Sequence, residues 1–177
     1  NNGYPMPKVG FGVYKITDED MPKVIQQAIE TGYRAFDTAY FYGNEASLGQ
    51  ALKNSGVPRE ELFITSKVWN DHQGYEQTKA YFQRSLDNMG LDYFDLFLIH
   101  WTCEQNGRYI ETYKALEDLY HEGKVKAIGV CNFKIHHLEK LMQETNIVPQ
   151  INQIELHPYF NQQDVQDFCD KHDITVT

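Results

Sequence analysis

Short apolar runs alternate with stretches of helical spacing along the whole chain, and that alternation constrains the fold more than any other feature. The runs fall at 9–13, 33–36, 62–65, 95–99, 125–130 and 151–154. Between them lie apolar residues three and four apart. Met21, Val24, Ile25, Ala28 and Ile29 share one helical face, which Thr17 can cap and Gly32 can end. Its Thr17-Asp18-Glu19-Asp20 start resembles a capping box with Asp20 in the acidic position. A second helix is expected over 45–53, with Gly56 just beyond. Phe82, Leu86 and Met89 mark a third closed by Gly90, and Ile110, Tyr113, Leu116, Leu119 and Tyr120 a fourth before Gly123. Ile135, Leu138, Leu141 and Met142 mark a fifth, and Val165, Phe168 and Cys169 a sixth. Strands that alternate with helices form βαβ units and a parallel sheet. No low-complexity linker interrupts them, so residues 1–177 read as one domain.

The residues that follow the apolar runs are polar. Asp37, Lys67, His100 and Asn132 end successive runs, and the next run carries Asn152-Gln153 and then Glu155. The steps between the first four are each about 30 residues, the length of one βα unit. Equivalent ends of parallel strands converge on one mouth. In a (β/α)8 barrel that mouth is where active sites form, whereas a doubly wound sheet places its site at a switch in strand order. Singly, each residue has a plainer explanation: Asp37 as a helix cap, Lys67 as a solvated lysine, His100 as a satisfied core histidine. Four polar groups at the same point of the unit are hard to attribute to chance.

Other chemistries lack their motifs. Gly10-Phe11-Gly12 opens like a dinucleotide fingerprint, but the third glycine and the immediate helix are missing. There is no G-x-x-x-x-G-K-[ST] phosphate loop and no G-x-S-x-G elbow. Cys103, Cys131 and Cys169 form no C-x-x-C pair, H-E-x-x-H is absent, and no metal site is expected. The adjacent His136 and His137 are expected on the surface. A net charge of −9 disfavours nucleic acid and anionic membranes as partners. No run of about 18 apolar residues occurs and the first residues lack a signal-peptide pattern, so a reducing cytoplasm is the expected location.

The segment Gly32-Tyr33-Arg34-Ala35-Phe36-Asp37-Thr38-Ala39-Tyr40-Phe41-Tyr42-Gly43-Asn44-Glu45 resembles the signature of the aldo-keto reductases. So do Ile64-Thr65-Ser66-Lys67-Val68-Trp69, Leu98-Ile99-His100-Trp101, Gly129-Val130-Cys131-Asn132-Phe133 and Asn152-Gln153-Ile154-Glu155-Leu156-His157-Pro158. The resemblance covers the chain in order, and its general look is of small bacterial diketogluconate-reductase-like members. It implies reduction of aldehydes or ketones by hydride from NAD(P)H, with NADPH the expected form by family habit and NADH also admitted. On that resemblance Tyr42 gives the proton, Lys67 eases its ionisation, Asp37 holds Lys67, and His100 orients the carbonyl. Asn132 and Gln153 are implied at the nicotinamide carboxamide and Asp37 near the ribose. Cys131 stands where the family usually has serine, and a thiol is the weaker donor. Thr102 replaces the proline common after the His-Trp pair. Trp69, Asn70, His100 and Trp101 are candidates for the substrate pocket, with packing at the barrel rim the other reading of the two tryptophans.

A (β/α)8 barrel needs about 250 residues, and this chain has 177. The expected fold is therefore an incomplete barrel: strands one to six and the start of a seventh at 174–177, truncated at both ends. Asn2-Gly3 reads as a hairpin turn. The resemblance implies that the stretch after the seventh strand supplies the nicotinamide-stacking aromatic, the basic residues for the adenosine phosphate and a covering loop. Two functional expectations stay open: a carbonyl reductase, monomeric at full length, and a catalytically incompetent barrel fragment that binds a partner chain or self-associates.

Overall fold

The computed structural model describes residues 1–177. Seven strands, β1 (Gly10–Gly12), β2 (Ala35–Asp37), β3 (Phe63–Val68), β4 (Phe94–Ile99), β5 (Val125–Cys131), β6 (Ile151–Gln153) and β7 (Thr175–Val176), form one sheet in sequential order. Every neighbouring pair is parallel. The sheet curls into a partial (β/α)8 barrel, with β1 and β7 as its two edges. Both edges are short, which limits the unpaired backbone they present.

Six helices cross over between the strands: α1 (Met21–Glu30), α2 (Glu45–Asn54), α3 (Tyr75–Met89), α4 (Tyr109–His121), α5 (Ile135–Glu144) and α6 (Gln163–Lys171). They match the apolar periodicities, and Gly90 accepts the left-handed backbone that closes α3. The start of α1 differs in detail. Thr17 accepts the Asp20 N–H at 3.2 Å, but it is the Thr17 hydroxyl that donates to the Asp20 carboxylate at 2.8 Å. Half of the capping box forms, one turn before Met21. No helix is long and apolar enough to cross a membrane.

Side chains on a strand alternate between faces, so register decides what the barrel encloses. The outer face of the sheet and the helices share one core that includes Phe36, Phe97, Ile99 and Val130. The inner face carries a smaller apolar cluster: Ala35, Phe63, Leu96, Leu98, Ala127, Cys131 and Ile151. Asp37 is two residues beyond Ala35, and Lys67 two beyond Thr65, which pairs with Leu96. Cys131 pairs with Gln153. The same alternation that buries the inner apolar residues therefore turns these groups inward at the top. Gly129 lets the strands close up: a Cβ there would lie 2.5 Å from the Ile151 carbonyl oxygen and 2.9 Å from Leu98 Cδ2.

Strand β3 runs one residue past Lys67, to Val68. At Asn2-Gly3, Asn2 Oδ1 accepts the Tyr4 N–H at 3.0 Å, an Asx turn. The Asn2 and Asn1 amides donate to carbonyls of Lys126, Pro149 and Asp173, tying the segment under the barrel. There Tyr4 donates to Asp95 Oδ1 at 2.7 Å, and Asp95 Oδ2 accepts from Arg59 at 2.6 Å and from the Ile64 N–H at 2.8 Å.

Candidate active site

At the opposite, C-terminal end of the strands, a one-turn 3-10 helix at Tyr40–Tyr42 follows β2 and lifts Tyr42 over the mouth. Gly43, at φ 70°, makes the turn from it into α2. The turn is wedged by aromatic contacts. Phe41 stacks on Trp69 with ring centres 3.9 Å apart, and Tyr40 meets His72 and Tyr81 edge-on at 5.1 and 4.9 Å.

Lys67 reaches up from β3 and is 1% exposed. Its ammonium donates to Asp37 Oδ1 and, at 2.8 Å, to the Thr38 carbonyl. Nζ lies 5.4 Å from the centre of the Tyr42 ring. Burial, the largest single influence, works to deprotonate Lys67, yet the charge and hydrogen bond of Asp37, with Cys131 and Tyr42 adding to them, together hold the ammonium pKa above its ordinary value. The Tyr42 phenol is pushed above its ordinary value, chiefly by burial, with Asp37 adding to the rise and Lys67 pulling against it. Lys67 thus acts in the expected direction, but burial wins, so Tyr42 carries its proton at neutral pH.

His100 follows β4 and sits edge-on to Tyr42 and Trp69, with centroids 5.7 and 5.1 Å away. Burial and the nearby Lys67 cation drop its pKa to about 4, so the ring is neutral. Its Nδ1 is buried without a hydrogen-bond partner, a cost in a finished protein core.

The groups on β5 and β6 converge from the other side. Gln153 Nε2 donates to Asp37 Oδ2 at 3.0 Å, and the Cys131 thiol faces Gln153 Oε1 at 3.6 Å. Burial raises the Cys131 pKa strongly, so it remains a thiol. Asn132, in the left-handed region at φ 61°, donates from its side chain to the His100 carbonyl at 3.1 Å. Of the neighbouring polar residues, Asn152 is buried and bonds the Phe133 backbone, and Glu155 is exposed. A cavity of about 720 Å³ opens beside this cluster, lined among others by Gly10, Gly12, Tyr14, Asp37, Tyr42 and Gln153. Trp69 stands in the aromatic wall, Asn70 Oδ1 is buried without a partner, and Trp101 is 45% exposed at the rim.

A model of the aldo/keto reductase family matches residues 8–177. The chain belongs to the aldo/keto reductase family. A glyoxal reductase of Bacillus subtilis is 49% identical over 170 residues, covering 96% of this chain and 61% of that protein. An aldo/keto reductase of Brucella melitensis superposes with a TM-score of 0.96 at 44% identity, over 99% of this chain and 69% of that one. A Bombyx mori aldo-keto reductase solved with NADP gives a TM-score of 0.92 at 34% identity, over 100% of this chain and 63% of that one. The chain spans about three fifths of the length of the curated relatives it matches.

Within this aldo/keto reductase mouth, several residues carried no sequence signal of their own. Tyr14, after β1, packs on the Tyr42 ring at 4.7 Å. The Thr38 hydroxyl donates to Asn44 Oδ1 at 2.9 Å, and Asn44 Nδ2 donates to the Val13 carbonyl at 2.9 Å, bracing both sides of the Tyr42 turn. Their proximity depends on tertiary contact; only their place beside Asp37 and Tyr42 could have flagged Thr38 and Asn44.

The histidine pair departs from expectation. His136 is exposed, but His137 is buried at the start of α5. His137 Nδ1 accepts the Lys134 N–H at 3.1 Å, which leaves the proton on Nε2, and Nε2 bonds Glu104. His136 Nε2 lies 3.4 Å from the same carboxylate. These three groups are close enough to hold a metal ion. The helix-capping bond, however, uses the tautomer in which Nε2 donates rather than ligates. As folded, the cluster clasps the loop after β4 to α5.

Proposed function

We propose that this mouth reduces aldehydes or ketones to alcohols with NAD(P)H, and that Tyr42 is its proton donor. The observation that carries the reading is the convergence on Tyr42 of a buried ammonium and a neutral imidazole. Lys67 lies 5.4 Å and His100 5.7 Å from the centre of its ring. Tyr42 holds a proton at neutral pH and stands over the open cavity. When it passes the proton to a carbonyl oxygen, the phenolate forms beside the Lys67 cation, and Asp37 keeps that cation in place. His100, neutral and edge-on to Tyr42, positions the carbonyl. Trp69, Asn70 and Trp101 form the wall against which a small carbonyl compound rests.

The residues present fit a nicotinamide cofactor. The glycines of β1 leave room along the cavity, and Gln153 lines it with the Cys131 thiol beside its amide, polar groups of the kind a carboxamide needs. NADPH is the form favoured by the NADP complex of the Bombyx mori relative. When bound, the cofactor supplies hydride to the carbonyl carbon. Asp37 would lie near its ribose, and Cys131, with its thiol, gives a softer contact than a hydroxyl would.

Residues 1–177 act in this reading as one aldo/keto reductase domain. NADPH consumption by the full chain with glyoxal or a simple aldehyde tests the reading. Tyr42→Phe is expected to lower the rate on the order of 10²- to 10⁴-fold. An undiminished rate in that variant would remove Tyr42 from the mechanism.

A further inference from the structure

Lys67 accounts for one oxygen of the Asp37 carboxylate. The other oxygen is held from across the barrel, by a residue 116 positions away. Gln153 Nε2 donates to Asp37 Oδ2 at 3.0 Å, while the Gln153 backbone carbonyl accepts the Asn132 N–H at 2.9 Å and anchors β6 to the top of β5. The side-chain amide has two ends of opposite hydrogen-bonding character, and its neighbours select one orientation. The Cys131 thiol, 3.6 Å from Oε1, can donate to an oxygen. A flipped amide would set its oxygen against the carboxylate and its NH2 against the thiol.

We propose that Gln153 is a positioning residue for the proton donor: its amide, oriented by the Cys131 thiol, holds Asp37 so that the carboxylate keeps Lys67 beside Tyr42. The inference rests on the reading of Tyr42 as donor, and it adds a role for Gln153 that precedes any contact with cofactor. An amide N–H on Oδ2 withdraws part of the carboxylate's charge. Asp37 raises the Tyr42 pKa and Lys67 lowers it, so that withdrawal favours proton release from Tyr42.

The test reads Tyr42 directly, without cofactor or substrate. Phenolate absorbance is followed in stopped-flow pH jumps, so that ionisation is recorded before any alkaline unfolding. The difference between the full chain and its Tyr42→Phe variant isolates the one ring. Gln153→Met keeps the side-chain length and removes the donor; the Tyr42 midpoint is expected to rise by about half a pH unit or more. Cys131→Ala, which frees the amide to turn, is expected to move the midpoint the same way by less, and Cys131→Ser to leave it in place. Cys131→Ala also carries the test if Gln153→Met fails to fold. A midpoint unchanged in the folded Gln153→Met variant, or in Cys131→Ala when that is the only folded variant, overturns the inference. NADPH turnover is measured separately. A shifted midpoint without turnover refutes the carbonyl reading and leaves the Gln153 contact standing, and turnover with an unshifted midpoint does the reverse.

Discussion

The two ends of this barrel each hold a carboxylate paired with a cation, and the pairs differ in how far they are sealed from solvent. At the bottom, Asp95 is 2% exposed, and both its oxygens are taken: by Tyr4 on one side, by Arg59 and the Ile64 N–H on the other. Arg59 spends further N–H groups on the Leu62 and Tyr93 carbonyls and stacks over the Tyr93 ring at 4.0 Å. At the mouth, the Asp37 side chain is 26% exposed, and the groups around it are left with unused capacity. His100 Nδ1 and Asn70 Oδ1 are buried without partners. Arg59 Nε at the bottom lacks a partner as well, so exposure is what separates the ends: a sealed carboxylate reads as architecture, and one on the wall of an open cavity can meet a ligand.

The sharpest way to break that contrast is to remove one carboxylate from each end. Asp95→Ala strands the Arg59 charge and a buried backbone N–H, and is expected to cost about 3–5 kcal/mol of stability. Chemical denaturation of the full chain measures it, and a loss below about 1 kcal/mol would show the bottom pair to be dispensable. The mouth responds differently. Lys67→Met leaves Asp37 near solvent and still bonded to Gln153, so its stability cost is expected to stay near 1–2 kcal/mol. Carbonyl reduction, in contrast, should fall by orders of magnitude, because the developing phenolate on Tyr42 loses its cation. A larger stability loss for Lys67→Met than for Asp95→Ala would reverse the assignment of the two ends.

The same contrast marks how much of the molecule is legible in its sequence. The βα rhythm locates every strand and α-helix, though not the 3-10 turn that carries Tyr42, and the recurring polar residue after each apolar run marks the mouth, because both are local patterns with fixed periods. Lys67 illustrates the limit: its run was cut short at Thr65, since a polar Ser-Lys pair interrupts the apolar pattern that β3 continues through. The bottom pair was invisible. Asp95 looks like the polar start of a strand, and Arg59 opens a one-turn 3-10 helix 36 residues earlier. Tyr4 reaches them only because the N-terminal segment folds under the barrel. His137 was misplaced for a related reason. A surface reading of adjacent histidines ignores that an imidazole can cap the helix that carries it. The Gln153–Asp37 contact joins β6 to β2 across the curl of the sheet, and no sequence period encodes such a crossing.

His100 supplies the smallest and most specific expectation. Its folded pKa of about 4 lies below the unfolded value near 6.5. Between these pH values the unfolded chain binds more protons at this residue than the folded one does. Stability therefore rises with pH across the window, and is lost as pH falls from about 6.5 toward about 4. The ring is only partly shielded, so the full shift overstates the effect, and a difference on the order of 1–2 kcal/mol is expected. Carboxylates contribute acid sensitivity of their own, so the informative quantity is the difference between the chain and His100→Gln, followed by denaturation at pH 7, 6, 5 and 4.5. The variant should lose less stability than the parent over that range and match its slope at higher pH. Identical acid profiles would mean that His100 takes up a proton as readily folded as unfolded, and the neutral imidazole assigned to the mouth would have to be given up.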